Sequence, residues 1–186
     1  MASINKADIL KSVDYAKKNQ LFNKLNNIYD NLPKGECTGC GSCCMESVGI
    51  NLIEFLNIYN YLQDKDELRK KSLGRIMDYY FMEFMKKNCC PFKDENNRCE
   101  IYEVRPLNCR LFGHWKKEDY NKNLNDITEK NKQYKNIMKG KYGFDISDEV
   151  VNYKIKYCED FIPENRYLSK SERLSFADDL MVLDSR

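Results

Sequence analysis

The sequence is poor in histidine and has no long hydrophobic segment. His114 is the one histidine in 186 residues, which excludes metal sites built on several imidazoles and leaves thiolates as the available soft ligands. No stretch approaches the roughly 20 apolar residues that a membrane-spanning helix needs. Residues 1–20 also lack the apolar core and the small-residue cleavage site of a secretory signal. We therefore expect a cytoplasmic protein that does not contact a membrane.

The chain also lacks an excess of charge of either sign. It has 31 lysines and arginines against 29 acidic residues, a formal net charge of +2. No broad basic surface is therefore available for nucleic acid. The length predicts a single domain over residues 1–186, which is large enough to bury a core without help from disulfides.

Cysteine, in contrast, is abundant, with nine residues. Disulfides are rare in the reducing cytosol, and an odd number of cysteines fits poorly with complete pairing. Metal ligation or redox chemistry is therefore the favoured use of these residues, and a disulfide scaffold is the alternative.

Apolar residues at steps of three and four predict a mainly α protein, a small helical domain organised around cysteine-bearing irregular loops. The predicted helices cover residues 7–32, a segment that starts at Asn51, 65–86, 107–112, one or two helices between 116 and 140, and 171–183. Gly140 and Gly143 are expected to break the helical structure that follows residue 116. The 65–86 helix has the strongest apolar stripe, so we expect it to be buried against the first two helices. This stripe consists of Leu73, Ile76, Met77, Tyr80, Phe81, Phe84 and Met85.

Extended structure is expected in one short strand pair at most. Residues 151–157 alternate between apolar and polar side chains, which is typical of a strand, although a helix that begins near Ser147 is the alternative. Residues 99–104 are a second candidate for a short extended segment.

Four cysteines lie within eight residues of a glycine-rich loop: Cys37, Cys40, Cys43 and Cys44. In a C-x-x-C pair the two intervening residues form the turn that directs both sulfur atoms at one metal. Three cysteines at successive gaps of two can hold three corners of a [4Fe–4S] cluster with a remote fourth ligand, and the same pair can provide two ligands to Zn²⁺. Adjacent side chains diverge, which makes Cys43 and Cys44 candidates for different centres.

Five further cysteines follow along the chain: Cys89, Cys90, Cys99, Cys109 and Cys158. Two four-coordinate centres with one spare thiol, which we assign to Cys89, are the simplest arrangement. One [4Fe–4S] cluster plus one Zn²⁺, or a single centre with structural thiols around it, are the alternatives. The predicted metal ligands are Cys37, Cys40, Cys43, Cys44, Cys90, Cys99, Cys109 and Cys158.

Three sequence blocks occur in a recognisable order: CTGCGSCC at 37–44, CPF at 90–92 and CEIYEVRPLNCRLF at 99–112. They resemble the CxxCxxCC family of zinc- or iron-chelating domains, also called YkgJ-like cysteine-cluster proteins. The resemblance spans about residues 37–115, the cysteine-cluster core of the domain, and implies that Cys158 is a late family cysteine. Cys89 departs from the family pattern, which has one cysteine before the proline.

Four other residues are candidates for cofactor binding beside the thiols: Tyr102, Arg105, Arg110 and His114. The two arginines flank Cys109, where guanidinium groups offset thiolate charge and donate hydrogen bonds; ordinary surface arginines are the alternative. The Tyr102 hydroxyl is a possible donor to the same site, or core packing explains it. His114 completes a metal shell or relays a proton, or it is a buried structural residue.

The sequence thus predicts a cytoplasmic metal-binding protein whose cysteine cluster coordinates a [4Fe–4S] iron–sulfur cluster, Zn²⁺, or both, with metal ions as its partners. The resemblance adds an enzymatic alternative, since flagellin lysine N-methylase has a similar cysteine cluster and its methyl transfer is associated with an iron–sulfur centre. That alternative is an iron–sulfur-dependent enzyme for group transfer such as protein methylation. A thiol redox or metal-handling protein is the third hypothesis.

Overall fold

The computed structural model describes residues 5–185, and this part of the chain is mainly α, as predicted. It contains eight α-helices: α1 Lys6–Lys18, α2 Leu21–Asp30, α3 Leu52–Gln63, α4 Asp66–Met82, α5 Leu107–Leu111, α6 Lys117–Tyr142, α7 Asp148–Val151 and α8 Lys170–Asp184. Two strands, β1 Gly35–Glu36 and β2 Ile162–Pro163, pair antiparallel, with Gly35 opposite Pro163. None of the helices in the described range is both long and apolar enough to cross a membrane.

The N-terminal segment forms two helices, so the prediction of one helix over residues 7–32 is wrong. The break occurs at Gln20, whose φ of 56° is left-handed and ends the helical hydrogen bonding of α1. The turn lets both helices place apolar side chains in one core. This core joins α1, α2, α3, α5 and α8 through Ala16, Leu21, Leu25, Tyr29, Leu32, Ile53, Leu107, Leu111, Leu168, Leu180 and Leu183.

The start of α3 matches the prediction, and its first turn has a second role. The Asn51 amide donates a hydrogen bond to Glu54 Oε2 at 3.1 Å. Glu54 is only 2% exposed, and its Oε1 accepts hydrogen bonds from the Tyr29 hydroxyl at 2.8 Å and from the Leu107 amide at 2.6 Å. A buried carboxylate needs such partners. Glu54 therefore ties α3 to α2 and fixes the start of α5.

The expected burial of the apolar stripe on α4 is wrong. The helix ends at Met82 and not at residue 86, so Phe84 and Met85 lie beyond it. All seven residues of the stripe are 36–70% exposed, whereas Ser72 of α4 is 1% exposed. The inner side is held by polar contacts: Arg75 Nη1 donates to the carbonyl oxygens of Pro91 and Lys93 and to Glu100 Oε2. Arg75 occupies the side that the apolar residues were expected to fill, so the stripe faces outward.

The two segments predicted as extended are not strands. Residues 148–151 form α7 instead, which is the helical alternative from Ser147, and residues 152–157 are irregular. The Tyr157 hydroxyl donates to the Trp115 carbonyl at 2.8 Å, and the Tyr120 hydroxyl to the Ile155 carbonyl at 2.9 Å. These bonds replace a partner strand.

In the other predicted segment, residues 99–104, Cys99 makes a single β-bridge with Lys93, and Tyr102–Val104 is a short 3₁₀ turn.

Farther along, α6 is one continuous helix that passes through Gly140. It ends at Gly143, whose φ is 67°, so the prediction of a break at Gly140 is wrong and the one at Gly143 is confirmed.

Candidate metal centre

Eight of the nine cysteines line one cavity of about 500 Å³: Cys37, Cys40, Cys43, Cys44, Cys90, Cys99, Cys109 and Cys158. They are the same eight residues that the sequence nominates as ligands. Cys89 does not line this cavity, and its side chain is exposed. The fold therefore brings thiols from the N-terminal loop, the central loops, α5 and the late loop to one place.

The N-terminal loop delivers four of these thiols in a tight path. Gly39 and Gly41 both have a φ of +74°, a left-handed conformation that glycine adopts without steric cost. These two bends expose Cys37 and Cys40 and lead into the 3₁₀ turn Ser42–Met45. That turn carries Cys43 and Cys44.

The central loops place three more thiols. The Cys90 amide donates to the Cys44 carbonyl at 2.6 Å, which fixes the second cysteine group against the first. The chain then turns back on itself, because the Glu100 amide donates to the Phe92 carbonyl at 2.8 Å, and this turn returns Cys99 to the cavity. Cys109 lies on α5, the helix whose start is fixed by Glu54.

Cys158 reaches the cavity because of an aromatic side chain that the sequence gives no reason to single out. Its Sγ lies 3.9 Å from that of Cys40. The ring of Phe161 fills the space beside Gly35 and Gly113, where an added Cβ would lie 2.4 Å and 2.3 Å from ring atoms. Phe161 thus needs glycine at both positions. Its packing site between Gly35 and Gly113, which we call the seat of Phe161, holds the loop that carries Cys158 in place.

Burial raises the pKa of four of the eight cavity thiols. It raises the pKa of Cys90 to about 11 and that of Cys158 to about 12, and it raises the pKa of Cys99 and Cys109 as well. Such thiols keep their protons at neutral pH unless a cation replaces them.

Cys43 is different from these buried thiols. A hydrogen bond from Cys44, helped by the charge of Arg105, lowers the pKa of Cys43 to about 7. Cys43 is therefore the thiol that deprotonates most readily among those with shifted pKa values, and we expect it to bind a cation first.

Tyr102, Arg105 and Arg110 line the cavity, as their place beside Cys109 suggested. The Arg105 guanidinium stacks 4.0 Å from the Tyr102 ring, and its buried Nε has no hydrogen-bond partner among the described residues. Arg110 is engaged elsewhere: it stacks on Tyr29 and donates to the Arg105 carbonyl. Of the two arginines that flank Cys109, Arg105 is therefore the one with donor capacity left for an anionic centre.

The structure does not place His114, a candidate for cofactor binding, among the residues that line the cavity. The residue is 2% exposed, and its ring packs 4.5 Å from the ring of Phe161. Burial, together with the positive charges of Arg173 and Arg105, lowers the pKa of His114 to about 4. A neutral imidazole packed against Phe161 supports the loop that carries Cys158.

Glu46 is a cavity residue that the sequence analysis missed. Burial raises the pKa of its carboxyl, while Arg173 and Lys87 act in the opposite direction. The signal for it was its position two residues after Cys44. Among the described residues it is the one carboxylate in the lining, so it adds an oxygen donor beside the sulfur atoms.

The donor set suits a sulfur-bound metal, although the side chains are not yet arranged around one. Within residues 5–185, no three histidine, cysteine or acidic side chains stand close enough together to hold an ion. Eight thiols around one cavity, with an arginine to offset their charge when ionised, are the shell that Zn²⁺ and iron–sulfur clusters accept. Binding would therefore require these side chains to rotate inward.

Comparison with protein families gives one match. The profile of CxxCxxCC, described as "Putative zinc- or iron-chelating domain", matches residues 36–137, more than half of the chain. The match includes seven of the eight cavity cysteines and ends before Cys158. No solved structure matches the chain.

Proposed function

Because the chain belongs to the CxxCxxCC family of zinc- or iron-chelating domains, we propose that it binds metal through its eight cavity cysteines, as an iron–sulfur cluster, Zn²⁺, or both. The observation that supports the proposal is that the fold gathers eight of the nine cysteines at one place and leaves one out. Eight cysteines from four parts of the chain line one cavity, while Cys89 remains outside it. Random burial of inert thiols gives no reason for such a gathering, because the residues around Cys37–Cys44 are mostly small and polar.

The cavity residues would have distinct roles toward the metal. The thiols supply soft thiolate ligands once their protons leave, so binding is coupled to proton release and to the ordering of the loops. Arg105 offsets the negative charge of a thiolate shell and donates hydrogen bonds to sulfur. A bound metal supplies charge compensation that lets buried thiolates exist at neutral pH.

The test is to purify the protein anaerobically and to measure metal and acid-labile sulfide per chain. We expect stoichiometric metal: iron with sulfide for an iron–sulfur centre, or zinc in colourless protein. The variant Cys89→Ser is the matched control and should retain the wild-type metal content. Folded wild-type protein that neither contains metal nor takes it up would contradict the proposal.

A second candidate function is an enzyme that uses the same centre for group transfer. The observation in its favour is that the cavity continues beyond the thiols along Val48, Ile50, Phe92 and Ile101, and is bordered by the half-exposed Tyr102. An enzyme needs an open coordination position on its metal. Azide or cyanide added to the iron-loaded protein should then change its absorption or electron paramagnetic resonance spectrum. An unchanged spectrum would indicate a saturated, structural shell.

A further inference from the structure

We propose that the eight cysteines form two separate four-sulfur centres, one from Cys37, Cys40, Cys43 and Cys158 and the other from Cys44, Cys90, Cys99 and Cys109. This inference rests on the metal-binding function proposed above. It adds which thiols share a centre, and it places the division between two adjacent residues of one short turn.

In the first set, direct contact joins two members and a shared buried cluster joins a third to them. Cys40 Sγ and Cys158 Sγ are 3.9 Å apart. Cys158 belongs to the buried cluster of Phe112, Trp115, Tyr120 and Phe161, and Cys43 packs against that same cluster. Cys37 lies three residues before Cys40 in the same loop and lines the same cavity.

The second set is joined through the central loops. The hydrogen bond from the Cys90 amide to the Cys44 carbonyl brings these two residues together. Cys99 packs against a different buried cluster, Ile58, Leu62 and Ile101, on the α3 side of the cavity. Cys109 on α5 is the remaining thiol of the cavity and completes the set by number.

The division falls inside the 3₁₀ turn Ser42–Met45. Such a turn has three residues per turn, so neighbouring side chains are rotated by about 120° from each other. Cys43 packs against the Phe161 cluster, and the Cys44 carbonyl accepts from the Cys90 amide. The two residues therefore adjoin different parts of the cavity, although their thiols are hydrogen-bonded to each other. Cys44 is buried and Cys43 half-buried, which agrees with two different environments for adjacent residues.

Each set then has the ligand number that a four-coordinate metal or a cubane cluster requires. The first set consists of three cysteines at gaps of two plus one remote cysteine, a spacing that suits the [4Fe–4S] cube. The second set has no C-x-x-C pair. The two centres adjoin at the Cys43–Cys44 peptide, so one turn would order both.

The inference is tested with Zn²⁺ as the probe, added anaerobically to the reduced, metal-free full-length chain. After one equivalent of Zn²⁺, free thiols are alkylated and the protected cysteines are identified by mass spectrometry. We expect protection in blocks of four that follow the two sets, with eight cysteines protected at two equivalents and Cys89 always alkylated. Protection of mixed sets, or saturation at one equivalent, would overturn the two-centre inference. No uptake of Zn²⁺ or iron at all would instead overturn the proposed function.

Variants provide an independent count by native mass spectrometry. Cys40→Ser and Cys99→Ser should each retain one of two zinc ions, and the double variant Cys40→Ser/Cys99→Ser should retain none. The double variant Cys40→Ser/Cys158→Ser should still retain one, since both residues belong to the same set. If Cys40→Ser and Cys99→Ser each lose all zinc while their circular dichroism is unchanged, the centres are not separate. The alkylation experiment needs no variant and decides the question if these proteins do not fold.

Discussion

The sulfur atoms of Cys40 and Cys158 lie 3.9 Å apart although the residues are 118 positions apart in the chain. Cys40 belongs to the exposed loop after β1, and Cys158 to the segment that leads into β2, the strand paired with β1. The small sheet and the sulfur contact therefore connect the same two parts of the chain. This connection completes the cysteine group that begins at Cys37.

The contact predicts which disulfide forms when metal is absent. Mild oxidation of the metal-free protein should first join Cys40 and Cys158, because a modest rotation brings their sulfur atoms to the bond length of about 2.05 Å. Metal-loaded protein should resist the same treatment, since its thiolates are coordinated. Peptide mapping under non-reducing conditions identifies the first bond. A first disulfide within 43–44 or 89–90 would favour thiol redox chemistry over a metal shell.

The seat of Phe161 gives a prediction with a matched control. Gly113→Ala places a Cβ 2.3 Å from the Phe161 ring, so the ring and the Cys158 loop must move, at a cost of about 1–3 kcal/mol. Gly140→Ala meets nothing within 4 Å inside α6 and should raise the free energy of unfolding by about 0.5–1 kcal/mol. Chemical denaturation measures both. Equal effects of the two changes would show that Phe161 does not depend on Gly113.

His114 predicts a loss of stability in mild acid. Its pKa is about 4 in the folded protein against about 6.5 when unfolded, so folding favours the neutral ring. The stability that this provides is complete above pH 6.5 and is lost as the pH falls toward 4, on the order of 3 kcal/mol in total. His114→Phe should reduce the difference in urea midpoint between pH 7.5 and pH 5, compared with wild type in the same metal state. An unchanged difference would contradict this role.

The outward face of α4 predicts small effects for large side chains. Leu73 and Phe81 are 60% and 66% exposed, so Leu73→Ala and Phe81→Ala should change the free energy of unfolding by no more than about 0.5 kcal/mol. Leu180→Ala, at a residue that is 1% exposed, should cost about 2–5 kcal/mol. Urea titrations compare the three variants. A cost for Phe81→Ala similar to that for Leu180→Ala would mean that this face is buried.

Local patterns carried most of what the sequence could predict. The spacing of Cys37, Cys40 and Cys43 is a short-range signal, and so are the cap of α3 at Asn51 and the start of α5 after Pro106. Each depends on residues within one or two turns of chain, where propensity and turn chemistry decide the structure. The mainly α class follows from the same kind of pattern.

The predictions from sequence that proved wrong failed because long-range contacts decide the structure at those positions. Periodicity finds an apolar stripe on α4 but not the polar contacts of Arg75 that turn the stripe outward. Alternation at residues 151–157 looks like a strand, yet Tyr157 bonds to the Trp115 carbonyl and no strand lies beside it. The seat of Phe161 between Gly35 and Gly113 joins three distant segments, and no local pattern contains that information.

X-ray absorption at the metal edge of protein purified anaerobically tests the central claim most directly, because it reports the atoms bound to the metal. We predict a first shell of about four sulfur atoms per metal, at about 2.3 Å for zinc, with an additional iron–iron contribution if an iron–sulfur cluster is present. The spectrum of Cys89→Ser should be the same as that of wild type. A first shell dominated by oxygen or nitrogen would contradict the claim that the eight cavity cysteines hold the metal.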